Sequence, residues 1–263
     1  MKNSVFSKTF KSLDRKFLLT ILNDIIFYII LILIIGLTYF SIIFFAYQLQ
    51  ETSTLMAKIQ TTDITKLNSL QPEAEEALST FRMITVKIVA TLLLALISTY
   101  LVATYFKGKI WSIIHKTKLD KKFYKKFLLL RLTWYAIWAL IFYAVYMLVN
   151  TQTQTSSIII FSILLLYFTM ILLTTFNKEK KIFKTIAQTI KLGIKKFHLL
   201  FLPYLINIVI LTIIYFIINP FIISYKRPQI IIYTIIVLIS IAWLRFYISE
   251  IIGKIKNKEK FMV

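Results

Sequence analysis

Polar and apolar residues along this chain fall into blocks. Six blocks of mostly apolar residues, 25–47, 84–106, 127–149, 156–176, 199–221 and 229–249, are each long enough to cross the roughly 30 Å hydrocarbon core of a bilayer as a helix. The pattern predicts an all-α integral membrane protein with six transmembrane helices, organised as a single membrane domain over residues 1–263. Basic residues precede the first block, as they would in a signal peptide. Its apolar run, however, is longer than the roughly 7–15 residues of an h-region, and no small-x-small cleavage site follows. It is expected to be a retained helix.

A finer period appears in the polar segments. Phe6, Phe10, Leu13 and Phe17 recur at helical spacing, as do Phe183, Ile186, Ile190, Ile194 and Phe197, while Leu119, Phe123 and Phe127 recur every fourth residue. Lysines occupy the remaining faces. Each segment ends in a basic pair or triplet that leads into Phe and Leu-Leu, and an apolar block follows at once. The spacing predicts three units, each a basic interfacial helix followed by a transmembrane hairpin. The first hairpin is unlike the others, because residues 48–83 separate its two spans. Within them Pro72 followed by Glu73, Glu75 and Glu76 predicts a helix start near Pro72, with acids at the positive end of the dipole. Residues 48–66 are expected to extend the first helix. The hairpin of spans three and four is expected to turn through residues 150–155.

Composition changes this picture little: 59% of the 263 residues are hydrophobic and mean hydropathy is +0.78, which excludes disorder and an ordinary soluble enzyme. Charge changes it more. The net charge of +21 would point to nucleic acid in a soluble protein, but here the basic residues collect on alternate connections. Residues 107–126 hold eight lysines and residues 177–198 seven, and residues 1–22 and the tail 250–263 are also basic. The segment 48–83 is the one acidic stretch. The positive-inside rule places both termini in the cytoplasm, in a membrane expected to be prokaryotic, and no nucleic-acid partner is expected. Lys11, Arg15, Lys16, Lys121, Lys122, Lys125, Lys126, Lys191, Lys195 and Lys196 are the candidate contacts to anionic lipid headgroups.

Candidate chemistry is sparse. The chain has no cysteine, which excludes disulfides, thiolate catalysis and sulfur-ligated zinc, and it lacks the glycine-rich, Walker, zincin and nucleophile-elbow motifs. No cofactor or metal is expected. His115 and His198, the only histidines, fall at the inner interface with no carboxylate cluster beside them. Ionisable groups near the spans reduce to Asp24, Arg131, Arg245 and Glu250, all within a turn or two of the inner boundary. Snorkelling to the interface explains them, and the sharper alternative is a cluster in which Asp24 pairs with Arg131 or Arg245. Asn207, midway along the fifth span, is expected to hydrogen-bond across helices. Only Gly36 of the four glycines lies inside a span, so the broken helices of many transporters are not evident.

The run Thr189-Ile-Lys-Leu-Gly-Ile-Lys-Lys-Phe197-His-Leu-Leu200 resembles the six-helix membrane domain attached to some glycerophosphodiester phosphodiesterases, and similar six-helix membrane families of prokaryotes. The likeness covers the basic repeats alone and implies no catalytic residue, since the soluble phosphodiesterase domain has no counterpart here. The expected function is a non-catalytic scaffold or partner-recruiting membrane protein with a basic face on anionic lipid. The alternative is a transporter or transporter subunit, with a lipid-modifying enzyme third. Neither a protein partner nor an oligomeric state can be read from these residues.

Overall fold

The computed structural model describes residues 15–60, 67–222 and 226–260. Among them there is no strand, and seven helices follow in order: α1 (Arg15–Gln60), α2 (Leu67–Ile114), α3 (Lys121–Leu148), α4 (Thr151–Thr175), α5 (Ile182–Lys195), α6 (Phe197–Ile222) and α7 (Lys226–Lys260). All but α5 are long and apolar enough to cross a membrane. Helix is the expected outcome for such runs, because no water in hydrocarbon can satisfy a backbone N–H or C=O, and a helix satisfies both internally.

The helices overrun the apolar blocks. α2 begins at Leu67, five residues before Pro72, and continues past Phe106 to Ile114. Its C-terminus is closed by a six-to-one bond from the Thr117 amide to the Ser112 carbonyl at 2.9 Å, with Lys116 at φ 55°. That left-handed position is one glycine ordinarily takes. α3 then starts at Lys121, capped by Asp120, whose side chain accepts the Phe123 amide at 2.7 Å. Residues 107–126 are therefore a helix end, a turn and a helix start, and the separate interfacial helix expected there does not form. The reason is packing: Phe123 and Phe127 are buried in the core of the bundle. In the first repeat, residues 15–22 are the opening turns of α1, and residues 1–14 lie outside the described residues. Among the described residues only α5 is a separate amphipathic helix. The α3–α4 turn is also shorter than expected, since Thr151–Thr155 belong to α4 and only Val149 and Asn150 lie between the helices.

The chain divides into two units. Unit 1 comprises residues up to 25 and from 104 onward. In it α4 is the central helix, packed against α3, α5 and α7, while α6 packs against α7 and α5. One side of α4 places Tyr167 and Ile171 in a core with Leu200, Trp243 and Ile248. Its other side places Leu172, Leu173 and Phe176 in a core with Trp111, Phe127 and Trp134. Between helices, burial of apolar surface gains little in lipid, so close packing and polar ties carry more of the association. Trp134 Nε1 donates to Thr169 Oγ1 at 2.8 Å, and Ser240 Oγ donates to Asn207 Oδ1 between α7 and α6, which is the interhelical bond expected of Asn207. Unit 2, residues 26–103, holds the remainder of α1 and α2. Most of its large apolar side chains, Leu33, Leu37, Leu94 and Leu96 among them, are exposed.

α5 meets α4 through Gly193. A Cβ at this position would lie 2.5 Å from the Phe168 ring and 3.2 Å from Ile171, so only a glycine lets the two helices approach this closely. Tyr167 Oη donates to the Gly193 carbonyl at 2.9 Å, and the Thr175 and Thr189 hydroxyls bond to each other at 2.9 Å. Gly193→Leu should force α5 off α4 at a cost of roughly 1–3 kcal/mol. Thermal unfolding of the detergent-solubilised protein checks this, and an unchanged midpoint would contradict the contact.

Candidate functional site

Two cations of unit 1 meet on a single buried carboxylate. Asp24 on α1 is fully buried, and its two oxygens face cations from two other helices. Arg245 on α7 engages both oxygens, with its Nη2 at 3.3 Å from Oδ1, and Lys107 on α2 places Nζ at 2.8 Å from Oδ1. The Arg245 and Lys107 side chains are 7% and 19% exposed, so this is an interior cluster rather than a set of snorkelling ends. Of the two expected partners of Asp24, it is Arg245 that is brought to it. Arg131 donates instead to Thr104 Oγ1 at 3.0 Å, three residues before Lys107 on α2, and to the Tyr135 hydroxyl at 2.9 Å. Glu250 is exposed, five residues past Arg245 and so on another face of α7, and is not part of the cluster.

Helical register explains why these groups converge. Thr104, Lys107 and Trp111 lie three and four residues apart on one face of α2, so the carboxylate partner and the Arg131 partner share that face. Sequence reasoning missed Lys107, because it stands one residue beyond the hydropathic end of its span and was absorbed into a Lys-rich connection. The signal was present in the apolar residues Ile110, Trp111, Ile113 and Ile114, which carry the helix on for two more turns. A carboxylate removed from water stays charged only when paired and hydrogen-bonded, and here the pairing is two cations deep.

The lipid-contact candidates are distributed otherwise. Lys121, Lys122, Lys125, Lys191 and Lys195 are exposed, and so is Arg15, while Lys16, Lys126 and Lys196 are half-buried. Lys11 lies outside the described residues. On α5 the faces separate into three. Thr185, Ile186, Thr189, Leu192 and Gly193 are buried against the bundle. Phe183, Ile190 and Ile194 form an exposed apolar stripe, at 74%, 42% and 66% exposure. Lys184, Lys191 and Lys195 form the third face and are exposed as well.

A small ionic cluster joins the α2–α3 turn to the α4–α5 loop. Lys178 Nζ bonds Asp120 at 2.6 Å, and Lys122 Nζ bonds Glu179 at 2.8 Å. The Lys178 hydrogen bond, then the Phe123 amide, hold the Asp120 carboxyl below its ordinary range. Lys122 does the same for Glu179. Among the described residues no group of three or more His, Cys, Asp or Glu side chains is placed to hold a metal ion. Comparison with models of known protein families, with curated proteins and with solved structures finds no match to this chain.

Two outcomes follow for these charges. Asp24→Leu leaves two buried cations facing each other and should cost about 3–5 kcal/mol, whereas the double change Asp24→Leu with Arg245→Leu should recover a good part of that loss. Unfolding midpoints of the single and double variants check this, and a double variant no better than the single would contradict the pairing. Because the folded Asp120 and Glu179 carboxyls titrate below their unfolded values, their stabilisation is complete above the ordinary carboxylate range and is lost as pH falls through the lowered values. A melting series from neutral to strongly acid pH should therefore fall more steeply for the native protein than for the Asp120→Asn, Glu179→Gln variant.

Proposed function

We propose that this is a non-catalytic membrane scaffold, with both termini and the Lys-rich connections on the cytoplasmic side and its basic face seated on anionic lipid headgroups. One observation carries the reading: the three-faced helix α5. Its exposed apolar stripe of Phe183, Ile190 and Ile194 adjoins the exposed Lys184, Lys191 and Lys195, while its third face is anchored to the bundle. A helix that turns both apolar and cationic residues outward has a favourable place at the boundary between acyl chains and headgroups, and few others. Each lysine near an anionic surface is worth about 1 kcal/mol. The exposed Lys121, Lys122 and Lys125 at the start of α3 extend the same basic surface, which is also where a soluble protein partner would be recruited. The likeness of residues 189–200 to six-helix membrane domains supports the same architecture.

The buried Asp24–Arg245–Lys107 cluster favours a second reading, a transporter or transporter subunit, since ionisable groups inside a membrane bundle commonly serve ion or substrate pathways. Flux into proteoliposomes that is lost in the Asp24→Leu, Arg245→Leu variant would favour it over the scaffold.

The absence of native cysteine makes the orientation directly testable, because an introduced cysteine is the only thiol. In intact cells a membrane-impermeant maleimide should label Glu75→Cys and leave Lys118→Cys unlabelled until the membrane is opened. The reverse pattern overturns the proposed topology. In reconstituted bilayers the Lys184, Lys191, Lys195 to Gln variant should lose preference for spin-labelled phosphatidylglycerol over phosphatidylcholine, by about fivefold for each charge removed.

A further inference from the structure

Toward the end of α5, Gln188, Lys191, Leu192 and Lys195 recur at i, i+3, i+4 and i+7, which puts them on one stripe of the helix, and the capping residue Lys196 continues it. These five residues line a recess of about 300 Å³. Leu192, buried against the bundle, is the one apolar residue among them. No carboxylate lines the recess, and among the described residues none of its three lysines is paired with one.

The fourth polar side chain is set to donate as well. Lys180 Nζ donates to Gln188 Oε1 at 2.9 Å, which commits the amide oxygen, and the remaining amide atom, Nε2, can only donate. The side chains around the recess therefore offer hydrogen-bond donors and positive charge together. Lys191 and Lys195 stand at i and i+4, a spacing at which like charges destabilise a helix. One lysine in the last turn serves the helix dipole, and three beside one recess exceed that need. An anion held among them relieves the repulsion, and ammonium groups serve phosphates as point-charge partners. The source of the phosphate follows from the neighbouring face. Ile190 and Ile194 of the exposed apolar stripe directly precede Lys191 and Lys195, so acyl chains lying on that stripe bring their headgroup to the lysines.

We propose that the recess binds a phospholipid headgroup carrying about two negative charges, as in diphosphatidylglycerol or phosphatidic acid, with Lys191, Lys195 and Lys196 supplying the charge and Gln188 Nε2 a further hydrogen bond. A headgroup with a single charge leaves most of the three lysines uncompensated, whereas a phosphate monoester or a pair of diesters answers to most of them. The inference rests on the proposed reading of α5 as a lipid-contacting helix. It adds a discrete site and a headgroup class to what is otherwise a diffuse basic surface.

The test uses the full chain in phosphatidylcholine bilayers containing spin-labelled diphosphatidylglycerol, phosphatidic acid or phosphatidylglycerol as the minor lipid. The native protein should retain at least one of the two doubly charged lipids over phosphatidylglycerol by about fivefold or more. Lys196→Gln should bring that ratio close to one. Gln188→Glu, which places a carboxylate in the recess and keeps an oxygen for Lys180, should do the same. Lys184 lies on the exposed lysine face one turn before Gln188 and does not line the recess, so Lys184→Gln should leave the ratio unchanged. A native ratio near one, with phosphatidylglycerol still preferred over phosphatidylcholine, overturns this inference and spares the proposed function, whereas no preference for any anionic lipid overturns both. A ratio that survives Lys196→Gln and Gln188→Glu also overturns the site. So does a ratio that falls equally in Lys184→Gln, which assigns the effect to the diffuse charge of the surface.

Discussion

The Asp24 carboxylate is the constraint to which much of unit 1 answers. Burying one charge in a bundle of Ile, Leu and Phe is costly, and the cost is met only where cations from elsewhere in the chain come within hydrogen-bond reach. Arg245 arrives from the last helix and Lys107 from the end of the second, so three segments far apart in sequence are tied at one point. Where lipid tails are as apolar as the side chains, such a tie discriminates among helix arrangements better than apolar contact does, because misplacing any one helix strands a charge. Arg131 is held from outside this contact by a hydroxyl pair, Thr104 and Tyr135, which satisfies its fork without a second acid.

The polar ties elsewhere follow the same logic at lower energy. Tyr167 to the Gly193 carbonyl, Thr175 to Thr189 and Trp134 to Thr169 each join α4 to a neighbour. Transmembrane hydrogen bonds of this kind average about 0.6 kcal/mol, so their number and placement matter more than any one of them. Their distribution makes α4 the structural axis of unit 1.

The block pattern made all six apolar helices legible, since hydropathy over some 20 residues is a strong signal. The helix ends were less legible, because a lysine at a helix terminus and a lysine in a loop look alike in sequence. Lys107 and Lys121 were both assigned to a connection, and both are helical. Asp24 stood out as an acid in an apolar context, yet its partner depended on which distant helix packs there. α5 is the instructive case. Its predicted stripe splits: Ile186 is buried against the bundle with Thr185, Thr189, Leu192 and Gly193, whereas Phe183, Ile190 and Ile194 are exposed. Helices in lipid associate through small residues, so Thr185, Thr189 and Gly193 share the packed face with Ile186 and Leu192.

The lengths of the helices in unit 2 carry a geometric consequence. At 1.5 Å per residue, the part of α1 in unit 2, residues 26–60, is about 52 Å long, and that of α2, residues 67–103, about 55 Å. A helix tilted by about 40°, the upper end of the usual range, crosses a 30 Å hydrocarbon core in roughly 39 Å. More than about 10 Å of each helix is therefore left over at any ordinary tilt. The residues toward Gln60 and Leu67, rich in Thr, Ser, Gln and Glu, are the ones suited to that excess. The length of that excess is set by the rise of the helix backbone rather than by the reach of a loop.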